Sequence, residues 1–316
     1  MSLESRLPLP ATSLPLSRHE LDRDYLSRSR PELLDELWAD ADTRVLVLWR
    51  GNALLNGRGG LELLPPALVP EADLRLYLGR SIDGSLPPRR YAAAVLSDAA
   101  AGAFGVGDDL WGNLRLLGSR LDDLEAGLFT AALALANWHA SHPFSPRTGV
   151  ATVAEQGGWV RRDPAGGREV FPRTDAAIIV GVVDPDDRLL LGHNAMWEQG
   201  RYSLLAGFVE PGESLESAVV REVFEESGIR VVDPVYLGSQ PWPFPASLML
   251  GFTAKVDPDR ESVLAPDGAE ILDLRWFSRE ELTAALGEIG LPGRTSIARA
   301  IIERWYGGPI DDRIDW

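Results

Sequence analysis

Three glutamates and an arginine are crowded into two helical turns of the stretch REVFEESG, residues 221–228. Glu222 and Glu226 stand four residues apart, which places them about 40° apart around an α-helix, and Glu225 lies on a neighbouring edge. Like charges at this spacing destabilise a helix unless they are solvated or neutralised. Carboxylates directed at one point are the ligands that Mg²⁺ and Mn²⁺ prefer. The pattern therefore favours a divalent-cation site acting on a phosphate and a bound water; the alternative is a solvated acidic helix face.

The wider stretch GFVEPGESLESAVVREVFEESGI, residues 207–229, surrounds these glutamates with glycines, acids and aliphatic residues at fixed spacing. It has the form G-x5-E-x7-R-E-U-x-E-E-x-G-U, where U is aliphatic. Nine positions fit this form: Gly207, Glu213, Arg221, Glu222, Val223, Glu225, Glu226, Gly228 and Ile229. Glycine permits a tight loop before a helix and a left-handed residue at its end. Arg221 is the expected partner of Glu213, joining the loop to the helix.

The nine-position pattern resembles the Nudix box of the Nudix hydrolases, which cleave nucleoside diphosphates linked to another group. The resemblance implies a metal site made from the three box glutamates, a main-chain carbonyl and an acid from a later loop: Glu222, Glu225, Glu226, Ala206 and Glu270. It implies catalysis by the same three glutamates and leaves open which of them is the general base. The other box positions would be structural, namely Gly207, Glu213, Arg221 and Gly228.

A second informative stretch, SQPWPFPASLM at residues 239–249, alternates prolines with Trp242 and Phe244. Proline fixes φ and removes a backbone donor, so these residues predict a stiff, extended loop that presents Gln240 and Ser247. Such a loop would line a pocket for a flat polar ring; the alternative is a rigid connector whose aromatic side chains fill the core. SQPWPFP with a following serine, after a Nudix box, resembles the NADH pyrophosphatases, or NAD diphosphatases of the NudC type.

The resemblance to NADH pyrophosphatases implies dinucleotide contacts along the second motif. The positions that carry over are Gln240, Pro241, Trp242, Pro243, Phe244, Pro245, Ala246 and Ser247. It also implies that Phe171 and Phe208 stack on a planar ring, which contributes about 0.5–1.5 kcal/mol beyond burial. A main-chain contact at Ala298 and a basic contact at Arg115 complete the set. Core packing for Phe208 and a surface position for Arg115 are the alternatives.

The implied activity is metal-dependent hydrolysis of the pyrophosphate of NADH or NAD⁺, which releases AMP and nicotinamide mononucleotide. The resemblance further implies Mg²⁺ or Mn²⁺ as cofactor, a homodimer, and removal of NAD caps from RNA 5′ ends. Three alternatives stay open: a Nudix enzyme for ADP-ribose or another dinucleotide, a non-catalytic NAD(H) sensor, and a structural interaction module. The complete set of box glutamates disfavours the last two.

Many members of this subfamily carry a small zinc ribbon with two C-x2-C pairs, and the chain departs from that pattern. The framework PFSPRTG and RRDPAGGREVFPR is kept, but the four ligand positions are Ser145, Thr148, Asp163 and Gly166. Two hydroxyls, one acid and a glycine cannot form a tetrahedral thiolate site. The sequence therefore predicts no structural zinc, and a segment held by hydrogen bonds and packing.

The composition limits the classes of partner. The chain has 316 residues, 45% hydrophobic and 25% charged, and a formal net charge of −16, which disfavours loose binding to nucleic acid or anionic membranes. It has no cysteine, so disulfides and thiolate metal sites are excluded. The stretch 1–24 is broken by prolines and makes a poor signal peptide. No apolar run reaches about 18 residues, so we expect no membrane span and a cytoplasmic protein.

The elements that position these residues are predicted from periodicity and turn signals. Residues 1–30 are predicted to be an irregular leader. Helices are predicted over 31–41, 121–142 and 295–307, with another opening within the Nudix-like pattern. Strands are predicted over 43–49, 74–79, 91–97, 175–184, 188–194, 248–256 and 274–278.

These elements predict an α/β (α+β) protein in which strands and helices alternate in the C-terminal half. We expect a smaller α/β domain at residues 1–142 and a zinc-ribbon-like connector lacking cysteines at residues 143–173. As the resemblance implies, residues 174–316 would form a Nudix α/β/α sandwich with a mixed sheet.

Overall fold

The structure is a computed structural model that describes residues 8–10, 13–261 and 263–311. The chain forms two compact units. The first unit contains Arg18–Thr174 and Trp242–Ala246, and the second contains the described residues through Ser17, Asp175–Pro241 and those from Ser247 onward. The leader predicted over residues 1–30 lies partly outside the described residues. In the part of the chain that the structure describes, no helix is long and apolar enough to cross a membrane.

The first unit contains ten short strands and the helices α1 to α4. Its strands are β1 (Leu21–Asp22), β2 (Arg44–Trp49), β3 (Asn52–Leu54), β4 (Leu63–Leu64), β5 (Leu74–Ser81), β6 (Arg90–Val95), β7 (Trp111–Asn113), β8 (Val153–Glu155), β9 (Val160–Arg162) and β10 (Glu169–Val170). Its helices are α1 (Leu33–Ala39), α2 (Asp98–Phe104), α3 (Leu114–Leu117) and α4 (Asp123–Ser141). One seven-stranded sheet has the order β1-β5-β6-β2-β3-β7, with β4 paired to β2, and β10-β9-β8 form a separate sheet in the connector.

The long helix α4 supplies much of the core of the first unit. A capping box begins it: Asp122 accepts from the amide of Glu125 at 2.8 Å, and the Glu125 carboxylate accepts from the amide of Asp122 at 3.4 Å. These two bonds satisfy amides that a helix start otherwise leaves free. Leu128, Phe129 and Ala132 are fully buried, and the helix packs against β2, β5 and β6.

The second unit contains a six-stranded mixed sheet and three helices. Its strands are β11 (Asp175–Val183), β12 (Leu189–Asn194), β13 (Leu205–Phe208), β14 (Val231–Trp242), β15 (Ser247–Val256) and β16 (Ile271–Phe277). Its helices are α5 (Leu215–Ser227), α6 (Arg279–Ala285) and α7 (Ile297–Tyr306). The order is β14-β15-β11-β12-β16, and β13 pairs with β11. β11 and β15 are parallel, whereas β12 and β13 pair with β11 in the antiparallel sense.

Alternate residues of β11 bury opposite faces of the sheet, as the period of a strand requires. Ile178, Val180 and Val182 pack into one cluster with residues of α5. Ile179 and Val183 pack into another cluster with residues of α7. Because both faces are covered by helices, β11 is a continuous hydrophobic run. The second unit is therefore an α/β/α sandwich, which confirms the predicted fold class.

The predicted helices and most predicted strands are confirmed to within a few residues, but the second motif is organised differently. It was expected to be an extended loop over residues 239–249. Residues 239–242 instead end β14 and residues 247–249 begin β15, so only residues 243–246 form the turn. The loop prediction is wrong for the flanks because β14 and β15 continue as strands on both sides of the prolines, and Pro241 itself lies within β14.

Candidate active site

Helix α5 carries the box glutamates, and the residues at its ends set its limits. Ser214 caps the N-terminus by accepting a hydrogen bond from the amide of Ser217 at 3.2 Å. Gly228 ends the helix with a φ of 72°, a left-handed conformation that favours glycine. Val219 and Val223 are fully buried, and they thereby fix the direction in which the glutamates of the same helix point.

Arg221 joins this helix to the loop before it. Its guanidinium pairs with both carboxylate oxygens of Glu213 at 2.8 Å, which is the partner that the sequence predicts. It donates to the carbonyl of Phe208 at 3.0 Å, and lies 2.9 Å from Glu222 and 2.9 Å from Glu225. These carboxylates raise the pKa of Arg221, and the bond with Glu213 contributes most. One arginine therefore compensates three acids around the box.

Glu226 is the most buried of the three box glutamates. The residue is 5% exposed, and its Oε2 has no hydrogen-bond partner within the described residues. Burial raises the pKa of Glu226 to about 8, and the charges of Glu270, Glu222 and Asp267 add to the rise. Burial also raises the pKa of Glu222. Since an ionised carboxylate in such a position is costly to bury alone, the site favours a cation.

Strand β13 passes directly over the carboxylate of Glu222. Gly207 lies opposite Ile178 in the antiparallel pair with β11. A Cβ atom at Gly207 would lie 2.1 Å from the carboxyl carbon of Glu222, which is far inside van der Waals contact. Ala206, the preceding residue, hydrogen-bonds through its backbone with Glu226 and partly opposes the rise in its pKa. The glycine of the box is therefore required by the position of Glu222.

The donors at this site suit a hard divalent ion, although no three of them converge. Among residues 8–10, 13–261 and 263–311, no group of three or more His, Cys, Asp or Glu side chains lies close enough together to hold a metal. The fit rests on the buried, unpartnered Oε2 of Glu226 and on a donor set of carboxylates alone. The candidate ligands for Mg²⁺ or Mn²⁺ are Glu226 and the two carboxylates whose charges act on it, Glu222 and Glu270. Glu222 and Glu225 are both paired with Arg221, and Glu225 and Glu270 are exposed.

Two residues predicted to contact substrate are instead buried at the start of α7. Gln240 is fully buried; it donates to the carbonyl of Thr295 at 2.9 Å and accepts from the amide of Ile297 at 2.6 Å. The expectation that the motif presents this side chain is therefore wrong, because both ends of its amide are used within the unit. Ala298 is 2% exposed, and its amide donates to Ser296 at 3.1 Å. Their substrate contacts stay predictions.

The two aromatic residues predicted to stack on a ring are exposed, each in its own unit. Phe208, at the end of β13 in the second unit, is 58% exposed, and Phe171, after β10 in the first unit, is 60% exposed. Ser247 opens β15 opposite Asp175 of β11. Both rings are accessible to a ligand, so they stay candidates for stacking.

The turn of the second motif belongs to the first unit, where it meets Arg115. The guanidinium carbon of Arg115 lies 4.2 Å from the ring centre of Phe244 and 5.2 Å from that of Trp242. The two rings meet edge to face at 4.9 Å. Asn137 of α4 donates to the carbonyls of Pro243 and Pro245 at 2.9 and 3.2 Å. Sequence reasoning missed Asn137, since its neighbours in α4 carry no signal for a partner about 100 residues away.

Hydrogen bonds around Asp163 occupy the positions matched to zinc ligands. Asp163 is fully buried. The hydroxyl of Thr148 donates to its Oδ2 at 2.6 Å, and the amides of Ala165 and Gly166 donate to its Oδ1 at 2.9 and 3.1 Å. These bonds lower the pKa of Asp163, and the Thr148 hydroxyl contributes most. Ser145, which is 5% exposed, accepts weakly from the amide of Thr148. One carboxylate thus joins the two halves of the connector.

We expect Asp163→Ala to lower the melting temperature by a few degrees and to speed proteolysis of the connector, because three hydrogen bonds lose their acceptor. The folded state holds the pKa of Asp163 below its ordinary value. The stabilisation is therefore complete above about pH 4 and is lost as the pH falls through the lowered pKa. Thermal melts and limited proteolysis across pH 2–7 would measure it, with the exposed Asp259→Ala as control. Identical proteolysis of the two variants would contradict this role.

Comparisons with known proteins identify the family of this chain. The family model described as the NUDIX domain matches residues 172–299, which include α5 and the loop of Glu270. The sandwich and the box helix thus define the class as Nudix hydrolases. The chain is 43% identical over 309 residues to a protein of Mycobacterium bovis named NAD-capped RNA hydrolase NudC, covering 92% of this chain and 94% of that one. The chain therefore belongs to the NudC-type family of Nudix hydrolases.

Two further relatives carry similar names. The protein of Mycobacterium tuberculosis named NAD-capped RNA hydrolase NudC is also 43% identical over 309 residues, with the same coverage of 92% and 94%. The human protein named NAD-capped RNA hydrolase NUDT12 is 38% identical over 200 residues, which are 59% of this chain and 43% of that one. The similarity to the bacterial proteins thus extends through both units, and the human match covers a smaller part.

Proposed function

We propose that the protein is an NAD(H) diphosphatase, which splits the pyrophosphate of NADH and NAD⁺ into AMP and nicotinamide mononucleotide. The observation that carries the proposal is the buried carboxylate of Glu226, whose Oε2 has no partner within the described residues. It lies beside Glu222 and Glu270, whose charges raise its pKa. The names of the relatives, which are NAD-capped RNA hydrolases at 43% identity, support NAD as the substrate class.

In this proposal Glu222, Glu226 and Glu270 hold the divalent ion, and the carbonyl oxygen of Ala206 is a further metal ligand. The ion, when bound, supplies a Lewis acid for phosphate oxygens and lowers the pKa of a water. Glu225 is exposed at the edge of α5 and held at 2.9 Å by Arg221. It either assists the metal-binding glutamates or acts as the general base that takes the proton of the attacking water. Water attacks one phosphorus and the bond to the bridging oxygen breaks, which leaves two monophosphates.

The second motif would then recognise the dinucleotide. Trp242 and Phe244, with Arg115 over both rings, offer a rigid aromatic surface, and stacking on such rings suits a base or nicotinamide. Phe171 and Phe208 are the further stacking candidates because both are exposed. Gln240 acts indirectly, because its amide holds the start of α7.

Removal of NAD caps from RNA is the second part of the proposal. A capped RNA contains the same pyrophosphate, and its hydrolysis would release nicotinamide mononucleotide and leave a 5′-monophosphate end. With a formal net charge of −16, the chain gains little from contacts with RNA phosphates. We therefore infer that RNA is held mainly through its cap, and strong affinity for uncapped RNA would contradict this inference.

A substrate panel with product identification tests the proposed function. Initial rates would be compared on NADH, NAD⁺, ADP-ribose and diadenosine compounds, with Mg²⁺, Mn²⁺ or EDTA. We expect NADH or NAD⁺ to give the highest kcat/KM, AMP to appear as product, and EDTA to abolish turnover. A higher kcat/KM for ADP-ribose would identify a different dinucleotide hydrolase, and tight NADH binding without AMP release would identify a sensor.

We further propose a homodimer in the cytoplasm without structural zinc. The hydrogen bonds that Asp163 accepts within the connector support the absence of a structural zinc, because they already join its two halves. Light scattering of the purified protein tests the dimer, and metal analysis of chelated protein tests the zinc. One zinc per chain would contradict the absence of a structural zinc. A monomer at micromolar concentration would contradict the homodimer.

A further inference from the structure

The exposed carboxylate of Glu270 accepts a hydrogen bond from an asparagine outside both motifs. Asn194, the last residue of β12, donates from its Nδ2 to Oε1 of Glu270 at 3.2 Å. The other end of the same amide accepts from the amide of Met196 at 2.9 Å. Because the oxygen of Asn194 is used by a donor, its NH₂ group is the end that faces the glutamate. The side-chain amide therefore has one orientation, and Glu270 is its acceptor.

A β-bulge places Asn194 beside this glutamate. Along β12 and β16, His193 lies opposite Asp273, but the next residue, Asn194, lies opposite Ile271. The step skips Leu272, so Asn194 is moved one residue toward Glu270. Bulges of this kind redirect side chains and are frequent beside active sites. In a regular ladder, Asn194 would lie opposite Leu272 and farther from the glutamate.

The backbone around Glu270 is held by a second set of bonds. One carboxylate oxygen of Asp267 accepts from the amides of Glu270 and Ile271 at 3.1 and 2.8 Å. The carbonyl of Glu270 accepts from the amide of Ala195 at 2.8 Å. The backbone of the loop is thus held at Glu270, and Asn194 contacts the Glu270 side chain.

We propose that Asn194 is a positioning residue that holds the Glu270 carboxylate for a divalent cation bound with Glu226. A carboxylate can accept an amide hydrogen on one oxygen and bind a cation through the other. Partners behind a ligand orient it, and their loss typically weakens metal affinity about 10- to 100-fold. This inference rests on the proposed function, because it takes Glu270 as a ligand.

The test is a double-mutant cycle read by Mn²⁺ binding to the metal-free protein, without any dinucleotide. Free Mn²⁺ is measured by electron paramagnetic resonance for the wild type, Asn194→Ala, Glu270→Gln and the double variant. We expect Asn194→Ala to weaken Mn²⁺ affinity about tenfold and to add nothing in the Glu270→Gln background. In NADH hydrolysis the same variant should lower kcat with little change in KM, since it does not touch the dinucleotide.

Met196→Ala is the matched control, since that side chain is 89% exposed two residues away, and it should bind Mn²⁺ like the wild type. Thermal melts confirm that each variant is folded. Unchanged Mn²⁺ affinity in Asn194→Ala, or an equal loss in the Glu270→Gln background, would overturn the role of Asn194. If Glu226→Gln also bound Mn²⁺ as tightly as the wild type, the proposed metal site itself would be wrong.

Discussion

Glu226→Gln is expected to reduce NADH hydrolysis by about 10³-fold. A divalent ion supplies several kcal/mol of charge stabilisation at a phosphate, and each 1.4 kcal/mol is worth a factor of about ten in rate. The amide keeps the size of the side chain but cannot replace an anionic ligand. The measurement is kcat for NADH at saturating Mn²⁺, followed by Mn²⁺ affinity of the metal-free variant, which should fall in parallel.

The same substitution should stabilise the metal-free protein, and this opposite effect makes the prediction specific. Glu226 is 5% exposed, and burial raises its pKa to about 8, so at pH 7 folding without metal must protonate a carboxyl that is ionised in the unfolded chain, at a cost of about 1.4 kcal/mol per pKa unit. Glutamine does not ionise, so we expect the free energy of unfolding at pH 7 without metal to rise by about 1–3 kcal/mol in Glu226→Gln. Added Mn²⁺, which stabilises the wild type by binding its folded state, should no longer do so.

Glu216→Gln is the matched control, because Glu216 lies on the same helix and is exposed. It removes one negative charge from α5 without touching the buried carboxylate, so activity and stability should stay close to those of the wild type. Glu226→Gln with near-normal kcat would contradict the assignment of Glu226 to metal binding. Lowered stability without metal would contradict the view that its charge is buried at a cost.

Two features of the second unit could be predicted from the sequence because they depend on local patterns. The spacing of Arg221, Glu222 and Glu226 predicts a helix with its acids on adjoining edges, and Gly228 predicts where it ends. Both follow from helix geometry alone. The continuous apolar run of β11 likewise predicts a strand buried on both faces, since alternate residues must each find a core. Local periodicity is sufficient for such elements.

The features that sequence reasoning missed depend on partners distant in the chain. The sequence predicts that Gln240 presents its side chain to a ligand. Its amide instead hydrogen-bonds with the backbone of Thr295 and Ile297, 55 and 57 residues away. Asn194 meets Glu270 across 76 residues, and only a skipped residue in the ladder brings them together. No periodicity encodes such pairs, because a polar side chain between strands looks the same whether it faces solvent or a buried carbonyl.

The connector also separates what residue types alone predict from what depends on spatial arrangement. The loss of all four cysteines predicts that thiolate zinc is absent, since the chemistry of the ligands is read directly from residue types. That Asp163 would become the acceptor for Thr148, Ala165 and Gly166 follows only from their spatial arrangement. The residue types thus indicate what cannot bind there, and the structure shows which bonds join the segment instead.

Gly207→Ala is expected to reduce kcat for NADH by about 100-fold while the protein stays folded. The new Cβ would lie 2.1 Å from the carboxyl carbon and Oε1 of Glu222 and 2.4 Å from its Oε2. The flexible end of a glutamate can move away at small cost to stability, so the displacement falls on the position of the carboxylate. A shift of about 1 Å in a catalytic group can cost about 100-fold in rate.

Combined with Glu222→Ala, the Gly207→Ala change should cost nothing further, because the displaced carboxylate is already gone. Gly308→Ala, where a Cβ meets nothing within 4 Å, is the control, and equal kcat in the two glycine variants would show that β13 does not constrain Glu222.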